Sequence, residues 1–149
     1  MIATMARDVA LLVARICVGA VFAAHGWQKL VTNGIDGTAA FFDQAGVPLP
    51  TVSAWAAALI ELVAGGALIL GLAMPVAGLL LVFDMLGAYL FVHAGNGLFL
   101  DQGGAEFVMT LGAASLLLAV FGSGRFGIDH LLASRAHGRH GHHREHAMT

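Results

Sequence analysis

Two apolar runs joined by a tight turn decide the fold of this chain: VSAWAAALIELVAGGALILGL at residues 52–72 and PVAGLLLVFDMLGAYLFVHA at residues 75–94. Each run has the ~20 residues that an α-helix needs to cross the hydrocarbon core of a bilayer. Gly71 stands at the end of the first run and Pro75 at the start of the second, which is the order that helix ends and helix starts favour. The stretch therefore predicts a membrane-spanning helical hairpin.

Two further apolar runs flank this hairpin, at residues 9–30 and 105–121. Arg15 interrupts the first of them, and because a signal peptide keeps its apolar segment uncharged, we expect a retained span rather than a cleaved leader. The predicted fold class is therefore all-α, an integral membrane bundle of four helices. In the connection before the hairpin, residues 38–44 are typical of a short surface helix, with Phe41 and Phe42 facing inward.

The composition supports a membrane protein. The 149 residues are 58% hydrophobic and only 11% charged, with a mean hydropathy of +0.83, whereas soluble domains contain about 25% charged residues. A net charge of −2 provides no field that would attract nucleic acid, so that class of partner is excluded. The partner that the composition predicts is the lipid bilayer.

Positive charges near the predicted spans indicate the orientation of the chain. They lie towards its two ends, at Arg7, Arg125, Arg135, Arg139 and Arg144. Residues 31–50 and 95–104, the first and third connections, contain neither Lys nor Arg. Because cytoplasmic loops carry the excess of Lys and Arg, we expect a multi-pass protein of the cell membrane with both termini cytoplasmic.

The chain divides into a predicted spanning domain, residues 1–130, and a predicted tail, residues 131–149. The tail is polar and contains Gly, so it cannot bury a core, and we expect it to be disordered. Its histidines have a spacing that would allow loose binding of a transition metal: His137, His140, His142, His143 and His146. No Cys or clustered carboxylate accompanies them, so a solvated tail is the preferred interpretation and no metal site is predicted.

Three charged residues, Arg15, Glu61 and Asp84, lie well inside predicted spans. Each costs about 2.5 to 3.5 kcal/mol at the centre of a spanning helix. At ~1.5 Å per residue they lie about 10, 16 and 13 Å from the cytoplasmic ends of their spans, so we expect them to pair within the bundle. Intramembrane ionisable residues are functional by default, which makes these three the candidate catalytic residues. The alternative is that their pairing only fixes the helix register.

A second polar layer is expected near the opposite surface, where His25, Lys29, His93 and Glu106 lie at the ends of spans. These are the candidate residues for binding a substrate at the mouth of the bundle. For Lys29 the alternative is ordinary anchoring at the membrane interface beside Trp27. Haem ligation by the two histidines has no further support in the sequence.

Short motifs in a fixed order resemble the DoxX family from about residue 11 to residue 129. The motifs are RICVG at 15–19, HGWQKL at 25–30, GVPLP at 46–50, IELVAGG at 60–66, GGAE at 103–106 and GSGRFGID at 122–129. The family usually has Pro where Ser123 stands here. The individual motifs are short, and their order and spacing within four spans carry the resemblance.

The resemblance implies a relationship to the membrane subunit of a thiosulfate:quinone oxidoreductase, with a quinone as substrate and a soluble or membrane redox protein as partner. It implies a role in sulfur or redox-stress metabolism. No motif for a tightly bound cofactor is found, so none is predicted. The alternatives are a scaffold that anchors soluble redox or detoxification enzymes and a small proton or solute pathway. A thin bundle of four helices is also compatible with a homo-oligomer.

Overall fold

The computed structural model describes the backbone of residues 1–145 and the side chains of residues 1–137, and within these residues the chain is helical, without strands. The α-helices are α1 (Ile2–Trp27), α2 (Gly34–Gln44), α3 (Pro50–Leu70), α4 (Met74–Ala88), α5 (Glu106–Phe121) and α6 (Ile128–Glu145). Two π-helical turns continue α1 and α4, at Gln28–Thr32 and Tyr89–His93, and a 3₁₀ turn covers Leu100–Gln102. The all-α class predicted from the sequence is confirmed.

Three continuous helices are long and apolar enough to cross a membrane: Ile2–Thr32, Pro50–Leu70 and Met74–His93. They correspond to the first three predicted spans, each with its bounds moved by one to seven residues. The helix α5 lies in the fourth predicted span and is also apolar, but it has 16 residues. At 1.5 Å per residue it is ~24 Å long, shorter than the ~30 Å hydrocarbon core.

Close packing of α1 against α3 fixes the register of the two helices. A Cβ atom on Gly26 would lie 2.5 Å from the backbone nitrogen of Leu62, and one on Gly19 would lie 2.5 Å from the carbonyl oxygen of Gly65. Only glycine allows the backbones to approach this closely. Residues 19 and 26 of α1 therefore lie beside residues 65 and 62 of α3, and the two helices run antiparallel.

Each of these two helices buries one face against its neighbours. The buried residues of α1 are Asp8, Arg15, Gly19, Phe22 and Gly26, and those of α3 include Ala54, Ala57, Ala58, Glu61, Ala64 and Gly65. The helix α4 packs on α5 in the same manner, since a Cβ on Gly78 would lie 2.7 Å from the Cβ of Ala119. Fully buried Phe22, Leu68 and Leu81 occupy the middle of the bundle.

One end of the bundle, here called the Asp129 end, is closed by the segment that joins α5 to α6 and by the first turn of α6. The carboxylate of Asp129 accepts hydrogen bonds from the backbone N–H groups of Ala73 (2.8 Å) and Met74 (3.0 Å), at the start of α4. The buried Asp8 of α1 accepts a 3.2 Å hydrogen bond from the backbone N–H of Arg125. These carboxylates connect three separate parts of the chain.

The segment predicted to be a disordered tail begins within α6, which continues to Glu145. Residues 146–149 lie outside the described residues. The backbone of residues 131–145 thus has helical geometry, whereas the composition predicts disorder. The disorder of the tail stays a prediction. The predicted surface helix is found as α2, which begins four residues earlier than expected. Phe42 is half-buried, and Phe41 is 52% exposed although it also lines the cavity described below.

Candidate functional site

A cavity of about 520 Å³ lies at the end of the bundle opposite to the Asp129 end. Residues from α1 to α5 and from both π-helical turns form its walls. The walls are mainly apolar and include six phenylalanine side chains: Phe22, Phe41, Phe42, Phe83, Phe91 and Phe107. The polar side chains that reach the cavity are His25, Lys29, Ser53, Glu61, Asp84 and His93. A large apolar cavity with a few convergent polar groups is typical of a small-molecule site.

An ion pair between α1's π-helical continuation and α3 lies in the cavity wall. The Nζ atom of Lys29 is 2.7 Å from Oε2 of Glu61, and the two side chains are 19% and 4% exposed. Sequence analysis left open whether Lys29 is an interfacial anchor or a site residue. Its contact with a buried carboxylate places it in the site and supplies the counter-charge that a buried carboxylate requires.

The carboxyl group of Asp84, on α4, lies beside that of Glu61. Its Oδ2 atom is buried and has no hydrogen-bond partner among the described residues. Lys29 balances the charge of one carboxylate, that of Glu61. The second acid of the cluster, Asp84, keeps an oxygen without a hydrogen-bond donor. A buried polar atom without a partner is costly, and a ligand in the cavity is one way to satisfy it.

Two histidines complete the polar part of the wall. The Nδ1 atom of His25 lies 2.9 Å from the carbonyl oxygen of Val21, and that of His93 lies 2.7 Å from the carbonyl oxygen of Gly103. The ring of His25 also packs on Phe107, with 5.6 Å between ring centroids. Both imidazoles are thus held in position by the backbone.

Two of the polar cavity residues lie in the π-helical turns. Asn33 donates its N–H to the carbonyl of Gln28 and Ala94 to that of Tyr89, each at 2.8 Å and five residues back along the chain. Lys29 lies in the first turn and His93 in the second. π-Helical turns are rare in proteins as a whole, and those that occur are often found at functional sites. Nothing in the sequence pattern distinguishes them from ordinary helix.

The expected pairing of Arg15 with Glu61 and Asp84 is wrong. The sequence analysis assumed that the ends of the spans are level, whereas the glycine contacts place Gly26, not Arg15, beside Glu61's turn of α3. Eleven residues separate Arg15 from that level, which is about 16 Å along the helix. Lys29 therefore takes the partner that was assigned to Arg15.

Arg15 lies instead at the Asp129 end and is only 1% exposed. Its Nη2 atom donates a 3.5 Å hydrogen bond to the carbonyl oxygen of Phe126, and Asp129 supplies a counter-charge. A Cβ on Gly71 or Gly127 would collide with the guanidinium group. Arg15 thus packs tightly against the two segments that close this end, outside the cavity.

Glu106 is also outside the cavity lining. Its Oε1 atom accepts a 2.7 Å hydrogen bond from the backbone N–H of Leu100, in the connection that precedes α5. The structure therefore brings together Glu61, Asp84, His25, Lys29 and His93, and it separates Arg15 and Glu106 from them. Among the described residues, no group of three or more His, Cys, Asp or Glu is placed to hold a metal ion.

Sequence analysis missed the aromatic wall and Ser53. Phe22 and Phe107 come from separate helices and Phe42 from α2, so only the tertiary arrangement brings them together. Ser53 lies near the start of α3, where its Oγ donates to the carbonyl of Pro48 at 2.6 Å. The number of Phe residues near span ends was the one available signal.

Comparison with known proteins assigns the chain to a family. A family model described as DoxX matches residues 10–94, which include most of α1, all of α2, α3 and α4, and most of the cavity wall. The chain belongs to the DoxX family. This confirms the resemblance inferred from its motifs, and the relatives and the apolar helices together make it a membrane protein.

Three DoxX relatives match over most of their length. The chain is 34% identical to "Putative oxidoreductase CatD" of Bacillus subtilis, over 82% of this chain and 86% of the relative. It is 31% identical to inner membrane protein YphA of Escherichia coli, over 83% and 91%, and 33% identical to inner membrane protein YqjF of the same organism, over 85% and 94%. No solved structure matches the chain.

Proposed function

We propose that this DoxX protein is the membrane subunit of a quinone-linked oxidoreductase and that the cavity holds the head group of the quinone. The observation that carries the proposal is the joint presence of a 520 Å³ aromatic cavity and the buried group of Lys29, Glu61 and Asp84. The volume lies in the range of about 300 to 1,000 Å³ that small-molecule sites occupy. The name of the Bacillus relative, an oxidoreductase, supports this class of activity.

The chemistry of the wall suits a quinone. A quinone ring is flat and apolar and packs well on aromatic side chains, while its carbonyl oxygens accept hydrogen bonds from a group such as Lys29. Reduction of a quinone to a hydroquinone consumes two electrons and two protons. In this proposal Glu61 and Asp84 pass protons to the ring oxygens, because adjacent carboxyl groups with one counter-charge readily share a proton.

The electrons must come from outside this chain, since the described residues contain no redox centre apart from the exposed Cys17. A soluble or membrane redox partner, or a reduced substrate such as thiosulfate, would supply them. In this proposal Glu61 and Asp84 are catalytic, and His25, Lys29 and His93 bind the ring. Arg15 and Glu106 keep structural roles at the two ends of the bundle.

Exposed aromatic side chains indicate how such a substrate would enter. Phe83 is 67% exposed, Phe41 is 52% exposed and Phe91 is 44% exposed, yet all three also line the cavity. They therefore form a wall between the cavity and the surroundings of the bundle. In a bilayer this wall faces the acyl chains, so an isoprenoid quinone would enter sideways from the lipid.

The proposed arrangement in the membrane has four spans, with α5 as the fourth and both termini in the cytoplasm. The excess of arginine at the chain ends supports this orientation. The Asp129 end is then cytoplasmic and the cavity lies towards the opposite surface. Two relatives are named inner membrane proteins, which supports the cell membrane as the location.

The test is binding and reduction of decylubiquinone by the purified protein in lipid nanodiscs, with thiosulfate as the reductant. We expect wild type to bind the quinone above the level of empty nanodiscs. Asp84→Asn should abolish turnover while quinone binding is retained, because an amide cannot pass a proton to the ring oxygens. Asp43→Asn is the matched control, because Asp43 is an exposed acid on α2 outside the polar cluster.

The outcomes separate the alternatives. Binding without turnover retains the quinone site and means that the electrons come from a missing partner. Absence of quinone binding to folded wild type contradicts the proposal and favours a scaffold, which would tolerate Asp84→Asn in cells. A proton or solute pathway predicts instead that the reconstituted protein raises flux across liposomes.

A further inference from the structure

The hydrogen atoms of three cavity side chains are already donated to backbone carbonyl groups. A carbonyl oxygen can only accept, so the Nδ1 atoms of His25 and His93, at 2.9 and 2.7 Å from theirs, must carry the proton. In the neutral imidazole the Nε2 atom is then an acceptor. Ser53 likewise donates its hydroxyl hydrogen to Pro48, at 2.6 Å, and keeps only lone pairs.

The acidic side chains add acceptors to this set. Oε2 of Glu61 accepts from Lys29, and the buried Oδ2 of Asp84 has no partner among the described residues. A proton shared by Glu61 and Asp84 is used between the two acids. Lys29 is then the side chain of the described cavity wall with hydrogen atoms to spare, because its ammonium group has three and Glu61 takes one. The cavity thus offers one donor and several acceptors.

We infer that the cavity selects a ring that bears a free hydroxyl group, a hydroquinone or related phenol, over the corresponding ring that bears only carbonyl or ether oxygens. A hydroxyl oxygen accepts from Lys29, and its hydrogen is donated to one of the acceptors opposite. A carbonyl oxygen accepts from Lys29 but leaves every acceptor without a partner. The inference deepens the proposed function, on which it rests, by naming the redox form that the site holds more tightly.

The comparison can be made with two probes, 4-heptylphenol and its methyl ether 4-heptylanisole, in which a methyl group replaces the hydroxyl hydrogen. Binding to the protein in nanodiscs is measured by ligand-observed NMR and corrected for partitioning into empty nanodiscs. We expect the phenol to bind about tenfold more tightly than the anisole, the effect of one well-placed hydrogen bond.

Variants assign the preference to the named acceptors. His25→Phe retains an aromatic ring against Phe107 but removes the Nε2 acceptor, so the ratio of the two affinities should fall towards one while the anisole binds as before. A general loss of structure would weaken both probes. His130→Phe is the matched control, since His130 is exposed on α6, away from the cavity.

A second measurement uses the quinone itself. Tighter binding of the reduced form raises the reduction potential of the bound pair, and a tenfold preference corresponds to ~30 mV for a two-electron couple. Equal binding of phenol and anisole, or a lowered potential, would overturn this inference and leave the quinone site in place. Failure of both probes and of decylubiquinone to bind would overturn the proposed function itself.

Discussion

Two adjacent glycines of α3 show how strongly a single methyl group can matter in this protein. A Cβ on Gly65 would lie 2.7 Å from the backbone nitrogen of Ala23 and 2.8 Å from the carbonyl oxygen of Gly19. A Cβ on Gly66 would meet nothing within 4 Å. The first glycine is required by the contact with α1, whereas the second faces open space.

Alanine substitution at these two positions should therefore have opposite effects. Gly65→Ala should destabilise the protein by about 1 to 3 kcal/mol, because backbone atoms cannot move aside as a side chain can. Gly66→Ala should stabilise it by up to about 1 kcal/mol through helix propensity. Thermal unfolding of both variants in the same detergent provides the comparison, and equal effects would contradict the helix register described above.

The Lys29–Glu61 pair gives a second residue-level prediction. Lys29→Met leaves Glu61 buried without its counter-charge and should cost about 3 kcal/mol. The double variant Lys29→Met, Glu61→Gln should recover part of that loss, because no unpaired charge remains at the pair. A double-mutant cycle measured by chemical unfolding tests this, and strictly additive costs would show that the two side chains do not interact.

The sequence was informative about which residues belong to the site but not about which of them meet. Glu61, Asp84, His25, Lys29 and His93 could be selected because polar groups within apolar spans are rare. Their pairing could not be deduced, since it depends on how far α1 slides along α3. The glycine contacts determine that shift, and a helical sequence does not indicate which residue of a neighbouring helix each glycine will touch.

At the level of elements, the start of α4 depends on a carboxylate from a distant part of the chain. Asp129 accepts from two N–H groups that the first turn of a helix leaves without partners. Ala73 there has a φ of 48°, a left-handed conformation that non-glycine residues rarely adopt. The hydrogen bonds from Ala73 and Met74 hold this turn in place.

The effect of removing the Asp129 carboxylate, which caps the start of α4, should be measurable. Asp129→Ala should lower stability by about 1 to 2 kcal/mol, as loss of an N-terminal cap does, and should also loosen the buried Arg15 beside it. Asp43→Ala, at an exposed position on α2, is the control and should be neutral. Hydrogen exchange at Ala73 and Met74 reports the cap directly, and unchanged protection in Asp129→Ala would contradict its role.

The order of the helices followed from apolar length, and their ends were less accurate for a physical reason. Hydropathy marks where lipid contact ends, whereas a helix continues as long as its backbone hydrogen bonds can form. The first helix accordingly begins at Ile2 rather than at residue 9. The helix α6 lies where hydropathy predicts no buried element at all.

At the level of the whole molecule, the charged residues inside the bundle lie in two separate groups. One group, Asp8, Arg15 and Asp129, closes the Asp129 end. The other group, Lys29, Glu61 and Asp84, lines the cavity at the opposite end. The fully buried side chains of Phe22, Leu68 and Leu81 lie between the two groups along α1, α3 and α4. An apolar layer of this kind opposes a continuous proton path, so proteoliposomes should acidify no faster than empty liposomes.

The proposed topology can be tested by cysteine labelling in a Cys17→Ala background. Asn96→Cys, in the connection before α5, should react with an impermeant maleimide added to intact cells. Arg125→Cys, after α5, should react only once the membrane is opened, because a fourth span returns the chain to the cytoplasm. Labelling of both positions in intact cells would mean that α5 does not cross the bilayer.

The two π-helical turns also bear on which insertions and deletions the chain can accept. A π-helical turn contains one residue more than an α-helical turn, so a one-residue deletion within Gln28–Thr32 can be absorbed by conversion to α-helix. The helix would survive and the residues after the turn would keep their orientation, because the N–H of Asn33 could still bond to the carbonyl group of Gln28, now four residues back. A deletion within α1 would instead rotate everything after it by ~100°, and Phe42 would leave the cavity wall. A deletion scan should therefore retain ligand binding for deletions within residues 30–32 and lose it for deletions within α1.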